Sequence, residues 1–504
     1  MANPLYDRLF GAHAGKTTPF LHLPDGDVIT HQDFLGLAAQ IAHVTAVIGL
    51  KPGDRVAAQV QKSPQALALY AACAQAGLVF LPLNTAYTVD ELTYFIENSG
   101  AALVVCDGSS QTMLAPVAEK LGAKLETLNA DGTGTLMDQA RTMPTDFATA
   151  DRESGDLAAL LYTSGTTGRS KGAMLTQDNL LSNAETLVAE WRFTKADVLL
   201  HALPIFHTHG LFVATNTALM AGCSMILLPK FDLDTVIAWL PKATAMMGVP
   251  TFYTRLLGDA RFTRDLTAHM RLFVSGSAPL LAETHVQFET RTGHRILERY
   301  GMTETNMNTS NPYDGERRAG TVGFPLPGVA LKITNPDDGT ELPRGEIGLI
   351  EVRGPNVFKG YWQMPEKTAA ELREDGFFIT GDLGMIDADG YVHIVGRNKD
   401  LIISGGYNIY PKEIELVLDE QPGVLESAVI GVPHADFGET VLGLIVPTPD
   451  QSPDLDAMKS AVCESLARFK HPRDLIVIDE LPRNTMGKVQ KNILRDQYKD
   501  RFAG

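Results

Sequence analysis

Cysteine is scarce: Cys73, Cys106, Cys223 and Cys463 are the four in 504 residues. They are scattered, share no metal-ligand spacing and sit mostly in apolar runs. That excludes a disulfide framework and a zinc module, and the four read as reduced core residues. Basic charge is also short. Lys and Arg total 43 against 60 Asp and Glu, a net charge of −17. Such a balance argues against a general nucleic-acid binder and against docking on anionic membranes. No long hydrophobic run is present. The longest apolar stretch, residues 210–228, is broken by Asn216, Gly222 and Ser224, and reads as a buried helix followed by a strand rather than a membrane span. The first eight residues lack a signal-peptide core, so a cytoplasmic address is expected. Short repeats and low-complexity segments are absent too.

What is there is an ordinary globular composition, 44% hydrophobic and 20% charged, long enough for several domains or subdomains. One loop stands out. Residues 163–171 read Thr-Ser-Gly-Thr-Thr-Gly-Arg-Ser-Lys. Gly165 and Gly168 let the backbone approach a ligand closely and turn its amides inward. Thr163, Ser164, Thr166 and Thr167 add hydroxyl donors, and Lys171 adds a point charge suited to phosphate. The pattern is not a Walker A loop. Apolar runs at 158–162 and 172–175 read as strands on either side, with a helix starting only after Thr176 as its N-cap. A polyphosphate, most simply a nucleotide, is the expected ligand; the plainer alternative is a solvated Gly/Ser/Thr turn.

Strand-like runs alternate with helical patterns along most of the chain: strands over 56–60, 78–81 and 102–106, helices over 64–76 and 89–98, and a second series from 198 to the helix beginning near 281. This is the pattern of an α/β fold with doubly wound parallel sheets covered on both faces. Ligands sit beyond the carboxyl ends of such strands, and three polar clusters fall there: 207–209, 275–277 and 300–304. After about residue 320 the pattern changes to a small β region. Beyond Arg397 it becomes a small α+β unit. The expected division is 1–397 and 398–504.

Five further segments join the loop: Tyr300-Gly301-Met302-Thr303-Glu304, Thr380-Gly381-Asp382, Gly396 to Asp400, Ser404 to Glu415, and Pro482 to Lys488. In this order and spacing the chain resembles the acyl-adenylate-forming enzymes, which include acyl-CoA synthetases, luciferases and nonribosomal adenylation domains. The resemblance implies attack of a carboxylate on the α-phosphorus of ATP, then transfer of the acyl group to a thiol, with AMP and pyrophosphate released. It implies that the 163–171 loop, with Thr163, Ser164, Gly165, Thr166, Thr167, Gly168 and Lys171, holds the β and γ phosphates. Glu304 would hold Mg²⁺ and Thr303 would contact the α-phosphate. Gly276, Ser277 and Ala278 would border adenine and the acyl pocket, beside Tyr300, Gly301 and Met302. Asp382 would bind the ribose, Arg397 the ribose or phosphate, and Lys488 would bridge the attacking carboxylate and the α-phosphate. Gly405 and Gly406 would leave room for the pantetheine arm of CoA, and Lys399 would be the hinge of a mobile small domain carrying Lys488.

The acid is suggested by Arg299, in Glu298-Arg299-Tyr300-Gly301. A buried guanidinium is costly beside a fatty or aromatic acid and pairs bidentately with a second carboxylate. The segment resembles that of malonyl-CoA synthetases, with malonate or methylmalonate as substrate and His207 and His209 adding donors or shaping the pocket; the alternative for His207 is a contact to phosphate or packing beneath the pocket. Against this, Arg299 could pair with Glu298 and face no substrate. Other expectations are a synthetase for another short-chain or aromatic acid, an adenylation domain loading a carrier protein, and a catalytically idle nucleotide-binding regulator. Lys488, a single amine on a loop, is also a candidate for silencing by a lysine acetyltransferase.

Overall fold

The structure, a computed structural model, describes residues 2–163, 170–405, 407–434, 436–484 and 487–502. It divides into two compact units, Met1–Ala330 with Val352–Phe378, and Leu331–Glu351 with Ile379–Gly504. No helix of the described residues is long and apolar enough to cross a membrane.

The first unit holds two sheets. In the six-stranded sheet the order is Lys124–Thr127, Leu103–Cys106, Arg55–Gln59, Val79–Pro82, Leu157–Thr163 and Lys171–Thr176. The first five strands run parallel, and the last two form the antiparallel pair that carries the Gly/Ser/Thr loop. Short apolar runs bounded by turns become strands buried on both faces; Ala57, Leu81, Val104 and Leu160 are fully enclosed. The helix Pro64–Ala76 starts on an N-cap at Ser63 with proline in its first turn, and ends at Gly77 in the left-handed region, as its sequence dictates.

The nine-stranded sheet runs Phe324–Pro325, Asn306–Ser310, Leu297–Met302, Leu272–Ser275, Ala245–Gly248, Val198–His201, Ser224–Leu227, Pro19–His22 and Val28–Thr30. Its central strands are parallel, with antiparallel strands at both edges. Residues 202–209, 276–278 and 299–303 lie at the carboxyl ends of three of these strands, where the fold places ligands. The apolar stretch near 210–228 is a helix then a strand, as expected, but its first turns are a π-helix, His209–Thr215, running into the α-helix Asn216–Ala221. A π turn is rare and tends to mark functional positions.

The second unit contains a five-stranded sheet that includes the long antiparallel pair Val424–His434 and Gly438–Pro447. Its core is formed by Ile414, Leu418, Val429, Val441 and Val462 among others. The strand Val392–Arg397 and most of Phe378–Ile386 also belong to this unit. The two strands pair in antiparallel register, Asp382 opposite Arg397. Compactness therefore groups 379–397 with the C-terminal segment, whereas the expected division falls between 397 and 398, next to the expected hinge at Lys399. One expectation about the cysteines is corrected. Cys73, Cys106 and Cys223 are buried, but Cys463 is exposed. The helix Leu455–Ser465 buries Met458 and Val462, and the next residue turns about 100° away from that face.

Candidate active site

Ser164, Gly165, Thr166, Thr167 and Gly168, expected to hold phosphates, lie outside the described residues, as does Gly406. The two ends of that loop are described. Thr163 and Lys171 face each other across the antiparallel pair, so strand pairing alone brings both ends of the loop together. The Lys171 ammonium sits 3.4 Å from Glu371 and 4.2 Å from the centre of the Tyr361 ring. The Tyr361 hydroxyl contacts Glu371 at 2.7 Å and Glu304 at 3.1 Å. Burial works to raise the Glu371 pKa, but hydrogen bonds from Lys367 and Tyr361 and the charge of Lys171 hold it below the usual carboxylate value. Burial, with the two carboxylates, raises the Tyr361 phenol. Lys171 and Glu304 thus belong to one network through Tyr361 and Glu371. Sequence reading missed those two residues; with Glu371 200 positions from Lys171, no local pattern marks it.

Glu304 is buried and Thr303 half-buried in the turn between Leu297–Met302 and Asn306–Ser310. Gly301 sits at a register shift in this pair. A Cβ there would lie 1.9 Å from the Asn306 carbonyl oxygen, so only glycine fits. Among the described residues no three His, Cys, Asp or Glu side chains gather as a metal cluster. Mg²⁺ held by one carboxylate and substrate phosphates needs none, so the buried Glu304 carboxylate suits that role.

Arg299 is 4% exposed, and its Nε and Nη2 have no hydrogen-bond partner among the described residues. Glu298 is not its partner. Adjacent residues of a strand point to opposite faces, and Glu298 turns to His285 at 3.4 Å. Burial pushes the Arg299 guanidinium down to about 9, which still leaves it charged at neutral pH. Gly276 lies beside it: a Cβ on Gly276 would fall 2.4 Å from the guanidinium carbon. Ser277 has φ +75°, strained for a residue with a side chain, and its hydroxyl is 3.1 Å from His209 Nδ1. Burial first, then Arg299 and the neighbouring His201 and His207, push the His209 imidazole well below its ordinary value. His207 is likewise lowered by burial, to about 4. His207 Nε2, Thr208 Oγ1, His209 Nε2 and Ser275 Oγ also lack partners among the described residues. Each buried polar atom left this way costs about 1–3 kcal/mol, so this concentration fits a site that a polar ligand completes. His207 shares a cavity with Thr303, Tyr162 and Phe206. Tyr300, Met302 and Ala278 are half-buried beside these groups in sequence.

In the second unit, Asp382 is buried and receives the Arg397 Nε at 2.6 Å. Gly381, at φ +72°, turns the chain so that the Asp382 amide is 3.1 Å from the Thr380 hydroxyl. Lys488 lies close enough to Arg397, Asp382, Lys399 and Asp400 to feel their charges. Burial, then repulsion from Arg397, lowers its amine to about 8. Its backbone is held in a tight turn with Asn484. Lys399 lies in the single 3₁₀ turn Asn398–Asp400, and Asp400 is fixed by Arg495 at 2.9 Å. Gly405 has φ +56° and donates its amide to the Phe437 carbonyl at 2.9 Å.

A family model described as AMP-binding enzyme matches residues 12–362, and one described as AMP-binding enzyme C-terminal domain matches 413–488. Among solved structures, the chain is similar to ATP-bound MatB from Rhodopseudomonas palustris, 58% identical with a TM-score of 0.98 and full coverage of both chains. A malonate–CoA ligase from Arabidopsis thaliana is 36% identical over 83% of this chain and 74% of its own length. A long-chain-fatty-acid–CoA ligase from Bacillus subtilis is 33% identical over 94% of this chain and 90% of its own.

Proposed function

The chain belongs to the AMP-binding enzyme family, and we propose that it ligates malonate to coenzyme A through a malonyl-adenylate, with methylmalonate as a second substrate. The observation that carries this reading is Arg299, a buried cation with two unpaired nitrogens beside a glycine that alone leaves it room. A guanidinium so placed is complementary to a second carboxylate and hostile to an alkyl chain or an aromatic ring. Likeness to a malonate–CoA ligase supports it. The other ligase activities among the relatives keep other acids as outcomes of the test.

In the first step the substrate carboxylate attacks the α-phosphorus and pyrophosphate leaves. Charge is the obstacle, and donors already aimed at the developing charge are the remedy. Lys171 and the 163–171 loop would hold the outer phosphates, Thr303 the α-phosphate, Glu304 a Mg²⁺, and Gly276, Ser277 and Ala278 the adenine edge. His207, with Ser277, would line the acyl pocket next to Arg299. Asp382 and Arg397 would take the ribose, and Lys488 would bridge the two reacting anions. The C-terminal segment beyond Lys399 would then turn about that residue so that CoA, admitted past Gly405 and Gly406, attacks the acyl carbonyl and releases AMP. Acetylation of Lys488 would remove the bridging charge and stop the first step. With no apolar span in the sequence, we place the reaction in the cytoplasm.

The test is AMP release with ATP, Mg²⁺ and CoA against acetate, malonate, methylmalonate, succinate, octanoate and benzoate, in wild type and Arg299→Ala. Malonate is expected to lead, and the substitution to lower its kcat/KM by more than tenfold. Preferred turnover of a monocarboxylate, unaffected by Arg299→Ala, would discard malonate while leaving the chemistry.

A further inference from the structure

Among the described residues, one buried cation outside the groups assigned above has no assigned role. Lys62 follows the strand Arg55–Gln59 of the six-stranded sheet and reaches the end of Val198–His201 in the other sheet. It is 8% exposed. Its ammonium lies 2.7 Å from His201 Nδ1, 2.8 Å from the His201 carbonyl and 2.9 Å from the Leu203 carbonyl. No carboxylate pairs with it among the described residues. On the far side of the ring, His201 Nε2 is 2.8 Å from the Gly210 carbonyl. That carbonyl also accepts the Thr215 hydroxyl at 2.9 Å.

The hydrogens can be counted. Two contacts from Lys62 to carbonyls, one between Lys62 and the ring, and one from the ring to Gly210 need four hydrogens. A neutral amine supplies two and a neutral imidazole one. The pair therefore carries one proton beyond neutrality, whichever nitrogen holds it, and Nε2 is protonated in either case. Both ends of the segment 201–210 are tied to this one cation. The two ends of the segment also approach each other closely: a Cβ on Gly210 would fall 2.0 Å from the Pro204 carbonyl oxygen, so only glycine fits there. The segment carries His207, Thr208 and His209, three residues whose side chains have unpaired buried atoms, and it opens the π-helix.

We propose that Lys62 is a positioning residue for the acid pocket. Through His201 and the Gly210 carbonyl it fixes the first turn of the π-helix, and so aims His207 and His209 at the substrate. This rests on the reading that the pocket beside Arg299 takes the acid. Burial lowers the Lys62 amine well below its ordinary value, as expected for a cation held by neutral acceptors alone.

The experiment is ATP–pyrophosphate exchange by wild type, Lys62→Met, His209→Ala and the double variant, with malonate and ATP titrated separately. Lys62→Met is expected to raise the malonate KM about tenfold and leave the ATP KM within twofold. In the His209→Ala background it is expected to add little. Equal shifts in both KM values, no shift, or full additivity would overturn the proposal. If Lys62→Met does not fold, imidazole nitrogen NMR of wild type still decides the proton count: a neutral His201 with only Nδ1 protonated would overturn it. A wild type that exchanges with another acid but not malonate would refute the substrate. The role of Lys62 would then be read with that acid.

Discussion

At the scale of single residues, the site depends on where a Cβ is missing and where a charge is buried. Gly276 is neither a turn nor a flexible point; it is the space that the Arg299 guanidinium fills. Gly276→Ala is therefore expected to displace that group and lower malonate kcat/KM by tenfold or more, about 1.4 kcal/mol. Because Gly276 also borders the expected adenine edge, ATP titration in the exchange assay separates any rise in the ATP KM from the loss with malonate. An unchanged malonate kcat/KM would mean that Arg299 does not need its present position. Lys488 gives a prediction with a sign. Its amine, lowered to about 8, is charged below that pH and neutral above it, and only the charged form can bridge two anions. Malonate kcat/KM for adenylation is thus expected to fall as pH rises through about 8. Lys488→Arg, which stays charged, should be slower but lose this alkaline limb. A limb that survives the substitution belongs to another group.

At the scale of elements, local chemistry accounts for most of what the sequence reveals. The helix Gln177–Glu190 begins where Thr176 suggests, because Thr176 and Asn179 form a reciprocal capping box. Asn179 then spends its amide on the carbonyls of Pro355 and Val357 at 2.7 and 2.8 Å. Thr176→Ala is expected to cost about 1 kcal/mol, the usual worth of such a cap. Asn179→Ala should cost more, since it also removes the donor of two part-buried carbonyls; urea unfolding measures both, and equal losses would mean the second role is empty. The strands and helices over 56–106 were legible because periodicity and caps are local. So were the two strands flanking the 163–171 loop and the polar clusters at strand ends. Glu371, Tyr361 and the Lys62–His201 pair were not. Their meaning comes from contacts between segments 57 to 200 positions apart, which no window of sequence contains. The π-helix was hidden for a different reason: its apolar pattern suits an α-helix equally well. Cys463 shows the reverse case, where an apolar residue type suggested burial and the helix phase decided otherwise.

At the scale of the whole molecule, a chain of net charge −17 binds anions only by concentrating cations locally, and it does so in both units. Lys171 and Arg299 lie in the first; Arg397, Lys399 and Lys488 lie in the second. In the proposed mechanism the second group of cations would serve adenylation, and Lys488 would be withdrawn before a thiol approaches. One short segment should therefore absorb the rotation. Residues 398–400 suit that role: a single 3₁₀ turn between the strand Val392–Arg397 and the next short strand Ile402–Ser404. Proline at 399 fixes its own φ and pushes Asn398 out of the helical region, so it should freeze the turn in one arrangement. Lys399→Pro is expected to leave one half-reaction within a few-fold of wild type and slow the other tenfold or more. Rapid-quench pyrophosphate release reports the first step, and thioester formation from preformed adenylate reports the second. Lys399→Ala, which removes the amine and keeps the torsional freedom, should slow neither to that extent. Equal slowing of both steps by proline would indicate damage to the fold rather than a blocked rotation. No slowing of either would move the hinge away from residue 399.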